Sequence, residues 1–148
     1  MKWKLAQAIT AMSNRIGKGG GKVVVGIHKD EKDDTPKFIG IDKDGCKKTA
    51  KGLANMDDWE INVWEYLESI TDCKKVSRDF LSFKPIIYED KTFVIIDVKA
   101  TKELGIKPWN KEQPKGDPSA TFETYHRVGP RSMKATASET TDIVTERR

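Results

Sequence analysis

The chain has 148 residues, with 34% charged and 36% hydrophobic residues and a formal net charge of +4; that length supports one core of useful size, and the balance is that of a polar globular domain. No apolar run approaches the roughly 20 residues of a membrane span, and no charged-then-apolar leader opens the sequence. Cys46 and Cys73 fit no CxxC or zinc spacing, so a cytoplasmic protein with reduced thiols, no membrane partner, no cofactor and no metal is expected.

The first element is a helix over residues 3–14, where Trp3, Leu5, Ala8, Ile9 and Met12 recur at helical spacing. Gly17 is placed to stop it. A glycine-lysine turn follows, Gly17-Lys18-Gly19-Gly20-Gly21-Lys22. Consecutive glycines carry a high backbone entropy cost, so either the turn needs their conformations or something approaches the backbone closely. Residues 22–27 read as a strand, apolar on both faces and therefore central in a sheet. Residues 29–37 form a polar turn in which Pro36 excludes a continuing central strand. Residues 38–41 supply the hairpin partner, and 42–51 are a charged loop.

Asp57 or Asp58 caps a second helix that runs to about residue 73, with Ile61, Trp64, Tyr66, Leu67 and Ile70 as its apolar face. Its other face is acidic, and acids early in a helix suit the macrodipole. Residues 80–88 read as an extended segment that is an edge strand or carries a bulge, because they contain Pro85. Glu89-Asp90-Lys91 is a tight turn, and 92–98 (TFVIIDV) is the strongest strand in the sequence. Residues 99–120, with Pro108, Pro114 and Pro118, read as a long functional or mobile loop. A strand over 121–128 ends at Gly129-Pro130, and 136–148 read as a polar tail with a short helix after Ser138. The sum is one α+β domain over 1–135, with a mixed sheet and two main helices.

Charge is unevenly placed along this order. Residues 1–29 hold Lys2, Lys4, Arg15, Lys18, Lys22 and Lys29 and no acid, whereas 57–72 hold Asp57, Asp58, Glu60, Glu65, Glu68 and Asp72 and no base. A basic side favours polyanions, although a charge run is often only a solvated face. The glycine turn is not a Walker A loop: residues 17–22 are one residue short, Val23 stands where the hydroxyl belongs, and the order is helix then strand. The same order excludes a dinucleotide fingerprint. What remains is a turn rich in backbone N–H groups between Lys18 and Lys22, suited to phosphates. Arg127, Arg131 and Lys134 form a second basic stretch, and the Arg127 fork suits a carboxylate inside the domain or a phosphate outside it.

Other candidates carry less. His28 and His126 lie in no ligand pattern and read as ordinary hydrogen-bonded histidines. The acids Asp30, Asp33, Asp34, Asp42 and Asp44 lack the glycine and glutamate of an EF-hand loop. Trp3, Trp59 and Trp64 read as core residues, while Trp109, beside Lys107 and Lys111, is placed to stack on a base or to close over the domain.

Two stretches, in order, resemble a known signature. Ile9-Thr10-Ala11-Met12-Ser13-Asn14, the glycines and Val23-Val24-Val25-Gly26-Ile27 are similar to the "A-F-A-N-T-x-G-G-x-I-x-I-G-V" pattern of the Schlafen AlbA-like DNA-binding domain family. Tyr125-His126-Arg127-Val128-Gly129-Pro130-Arg131-Ser132 is similar to its closing "Y-x-R-x-G-S-x-S". Phe38-Ile39-Gly40 and residues 92–98 match the strands between, so the likeness spans about residues 5–135. The resemblance implies a mixed α+β domain that binds DNA or RNA in a regulatory role. Some Schlafen members are metal-dependent ribonucleases with clustered carboxylates. Here the two glutamates that family members carry ahead of the first helix have no counterpart, and the third acid falls on Lys29, one residue before Asp30, so no catalytic residue is assigned.

The expected site is a phosphate-binding face of Arg15, Lys18, Gly19, Gly20, Gly21, Lys22, Lys29, Arg127, Arg131 and Lys134. Its expected partner is DNA or RNA, with a second copy of the chain as an option. The alternatives are a Schlafen-type metal-dependent ribonuclease drawing acids from Asp30, Asp97 or a second chain, and a protein-interaction domain using the acidic helix.

Overall fold

The computed structural model describes residues 2–17, 19–30, 32–41, 56–113, 117 and 119–147; Lys18, Asp42, Asp44, Cys46, the 42–51 loop, Pro114 and Pro118 lie outside them. No helix among the described residues is long and apolar enough to cross a membrane. The fold is α+β: the described residues form three α-helices and three small antiparallel sheets in place of the expected mixed sheet.

Helix α1 spans Lys2–Ser13. It buries Ala6, Ile9, Thr10, Ala11 and Ser13, and Asn14 just beyond it is buried too. Trp3 packs its ring edge-on against Tyr125 and donates its Nε1–H to the Lys107 carbonyl at 2.9 Å, so both its apolar body and its polar tip are used.

Strand β1 (Gly20–Val25) pairs with β5 (Lys91–Lys99), which pairs in turn with β4 (Leu81–Tyr88). The central strand is therefore β5, the strongest strand in the sequence, and β1 is an edge rather than a centre. Its apolar character on both faces misleads: Val23 and Val25 face inward opposite Ile96 and Val94, but Val24 pairs with Ile95 on the outer face and stays 44% exposed. Pro85 sits on the other edge strand, where its missing N–H costs no ladder bond. Glu89 and Asp90 turn the β4–β5 hairpin with φ of +49° and +61°, the left-handed pair that matches strand twist.

Past Gly26, β2 (Ile27–Lys29) pairs with β3 (Pro36–Phe38). The hairpin partner thus lies earlier than expected. Ile39 and Gly40 instead donate their amides to the Gly26 carbonyl, and Ile41 donates to Thr92. Gly26 has φ +109°, and a Cβ there would meet the Phe93 ring at 2.8 Å and Gly40 Cα at 3.0 Å.

Helix α2 runs Met56–Ile70, so Asp57 and Asp58 lie in its first turn and do not cap it. Its buried face is Met56, Trp59, Val63, Leu67 and Ile70; Ile61 is 53% exposed, and Trp64 is half-buried against Phe80 and Phe83 with Arg78 over its ring. Trp59 meets Phe83 of β4 edge-on, which seats α2 on the sheet. Burial pushes the Cys73 thiol up.

The expected long loop contains β6 (Gly105–Ile106), paired with β7 (Glu123–Val128), and Leu104 and Ile106 are fully buried. After Gly129-Pro130 the chain returns as β8 (Arg131–Lys134), a strand too polar to be recognised from its pattern. The segment read as a polar tail holds α3 (Ala137–Glu146), with Ile143 fully buried. Helix α1 packs against β1, β7 and β8 and so joins the β1–β5–β4 sheet to the β6–β7–β8 sheet.

Candidate nucleic-acid interface

The glycine turn sits where α1 ends and β1 begins. Its close neighbour is the last turn of α3. Gly17, with φ +79°, donates its N–H to the Glu146 carboxylate, 3.1 Å from Oε1 and 3.0 Å from Oε2. Arg147 donates from Nη2 to the Ser13 carbonyl at 3.1 Å and the Arg15 carbonyl at 2.8 Å, and from Nη1 to Glu146 at 3.3 Å. The guanidinium thereby satisfies carbonyls at the C-terminus of α1, where a cation is favoured. Its Nε is buried with no partner among the described residues.

Close approach from several elements accounts for the consecutive glycines. A Cβ on Gly19 would overlap the Arg147 guanidinium and Ala100, and one on Gly21 would lie 2.5 Å from Met12 Sδ. Ala100 at Gly19, the Val98 carbonyl 2.7 Å from a Cβ on Gly20 (φ +94°) and Met12 at Gly21 therefore crowd side chains out of the turn. Gly20, Gly21 and Lys22 belong to β1 and pair with Lys99, Val98 and Asp97.

Several expected phosphate ligands hold carboxylates instead. Lys22 is ion-paired with Asp97, Lys29 with Asp34 at 3.3 Å, and Lys134 with Glu123 at 2.9 Å. The hydrogen bond to Glu123 raises the Lys134 pKa. Arg127 is half-buried and donates across its hairpin to Ser132 Oγ at 3.2 Å. Arg15 and Arg131 are exposed, and neither side chain has a carboxylate partner among the described residues. The two basic stretches lie on elements that pack against α1, but no hydrogen bond or ion pair links residues 127–134 to 15–22 among the described residues. Lys18 lies outside them.

The remaining candidates find structural places. His126 is buried with Nε2 3.0 Å from Glu139 Oε2. Trp109 is half-exposed and leans on Trp3, ring centroids 6.4 Å apart. Asp30 is held by Lys37 at 2.8 Å, which with the Lys32 amide keeps its carboxyl below the usual range. Among the described residues no three His, Cys, Asp or Glu side chains are grouped to share a cation. On the acidic helix, Glu68 is engaged by Arg78.

Sequence reasoning missed Glu146 and Arg147. The findable signal was Thr136-x-x-Glu139, a capping-box spacing ahead of Ile143, which announces a packed helix from Ala137 where a polar tail with only a short helix after Ser138 was expected. Comparison with family models, curated proteins and solved structures returned no match.

Proposed function

We propose that this is a nucleic-acid-binding domain of the Schlafen AlbA-like kind, cytoplasmic and regulatory, which holds the phosphate backbone of DNA or RNA at the turn between α1 and β1. The observation that carries the reading is the Gly17 amide, which already holds an oxyanion, the Glu146 carboxylate. A phosphate oxygen makes the same demand on a backbone N–H. Arg15 and Arg131 supply exposed positive charge, and the pairs at Lys22, Lys29 and Lys134 are surface pairs that exchange partners at little cost.

Binding of labelled duplex and single-stranded oligonucleotides, followed by anisotropy between about 50 and 200 mM salt, tests it. Log affinity should fall linearly with log salt, and Arg15→Ala and Arg131→Ala should each reduce that slope by about one. Lys18→Ala should weaken binding further. The proposal is overturned by an absence of binding at the lowest salt, or by a slope that both arginine variants leave unchanged.

A further inference from the structure

The outer edge of β1 pairs with no strand among the described residues. In an antiparallel ladder every second residue turns its N–H and C=O away from its partner, so β1 presents unused backbone groups along that edge. Beside it lies a groove of about 310 Å³, walled by Lys4, Leu5 and Ala8 of α1 and by residues 23–29. Val24 and Ile27 remain 44% and 38% exposed there.

Native proteins blunt open edges with prolines, charges or short strands. The opposite edge, β4, carries Pro85 and Lys84. Strand β1 contains no proline, and its one charge, Lys22, is drawn to Asp97 on β5. A β-branched edge left open next to a helix-walled groove has the geometry of strand addition, in which main-chain bonds give affinity and the groove selects side chains.

The charges select the occupant. Among the described residues the lining includes Lys4 and Lys29 and no acid, and Lys29 pairs with the exposed Asp34. A second copy of this edge would bring Lys22 of β1 and Lys29 of β2 against the same cations. A nucleic acid lacks the amide ladder that the edge would continue. We propose that β1 and α1 form a docking groove for an extended segment of a partner protein, alternating apolar and acidic residues and added as a fourth strand beside β1. Strand β1 begins inside the glycine turn, at Gly20, so the two sites adjoin, but the docking groove rests on the open edge and stands whether or not the turn binds phosphate.

The probe is a labelled six-residue peptide matching the length of β1, acetylated and alternating Val with Glu. Its controls are the Val/Lys analogue and a Val/Glu peptide N-methylated at alternate amides. With the full chain, anisotropy should show the Val/Glu peptide binding at least about tenfold more tightly than either control, with new hydrogen-exchange protection in residues 20–25. Lys4→Glu and Ala8→Trp should each weaken it. No binding, or equal binding of the N-methylated peptide, overturns strand addition, and equal binding of the Val/Lys peptide overturns the acidic partner. Self-association in sedimentation velocity that is abolished by Val24→Lys and blocks the peptide would assign the edge to a second copy and overturn the proposal.

Discussion

Asn14 is fully buried, and among the described residues its side chain bonds only to backbone. Nδ2 donates to the Leu104 carbonyl at 2.7 Å and the Tyr125 carbonyl at 2.8 Å, and Oδ1 accepts from the Leu104 amide at 2.9 Å. One amide therefore ties the end of α1 to the approach to β6 and to β7. Asn14→Ala would strand those backbone groups, each costing about 1–3 kcal/mol when buried without a partner. Partial relaxation brings the expected loss to about 3 kcal/mol in urea unfolding. Asn14→Asp should do no better, because a carboxylate only accepts and would face two carbonyls. A loss below about 0.5 kcal/mol for the alanine variant, the size of an ordinary surface change, would show that the amide does not pin the fold. The sequence singled out Asn14 only as a letter in a signature. Between Ser13 and Arg15 it looks like a solvated helix end, and nothing local reveals that its partners are some 90 to 111 residues away.

The helices and the β4–β5 hairpin were legible because their signals are local: spacing, a proline edge, a tight turn and a continuous β-branched run. The face of α2 was not. Its sequence carries two overlapping apolar stripes that share Leu67 and Ile70, one led by Ile61 and Trp64 and the other by Met56, Trp59 and Val63. Both fit helical spacing, and only the packing of Trp59 on Phe83 decides between them. Trp59→Ala should therefore cost about 3–5 kcal/mol, and Ile61→Ser less than about 0.5 kcal/mol, measured by urea unfolding. The reverse order would restore the face read from the sequence. Strands β6 and β8 were illegible for a different reason: one has two residues and the other is polar, and both exist through pairing with β7. Of the candidate site, the glycine turn was legible as a place of close approach, but not what approaches it.

The approach comes from the far end of the chain, since α3 returns to close the fold over the end of α1. Its start is held by a capping box, in which Glu139 accepts the Thr136 amide and the Thr136 hydroxyl oxygen accepts the Glu139 amide. Its middle buries Ile143, and its end delivers Glu146 and Arg147 to the turn. The bonds to Thr136, backbone first, and then the nearby His126 hold the Glu139 carboxyl below its ordinary 4.5. A carboxyl depressed in the folded state adds stability that is present above 4.5 and is lost as pH falls through its folded value. On acidification α3 amides should therefore lose hydrogen-exchange protection before those of β5, and Glu139→Gln should make that early step insensitive to pH. Simultaneous loss in both elements would mean that α3 is not a separate unit. The same contacts bear on the turn. Glu146→Gln removes the anion from beside Gly17 while keeping an acceptor, so oligonucleotide affinity at low salt should rise by about threefold, the scale of one exposed charge pair. Unchanged affinity, with α3 protection intact, would place the phosphate elsewhere and leave Glu146 and Arg147 as the clasp that joins the two ends of the domain.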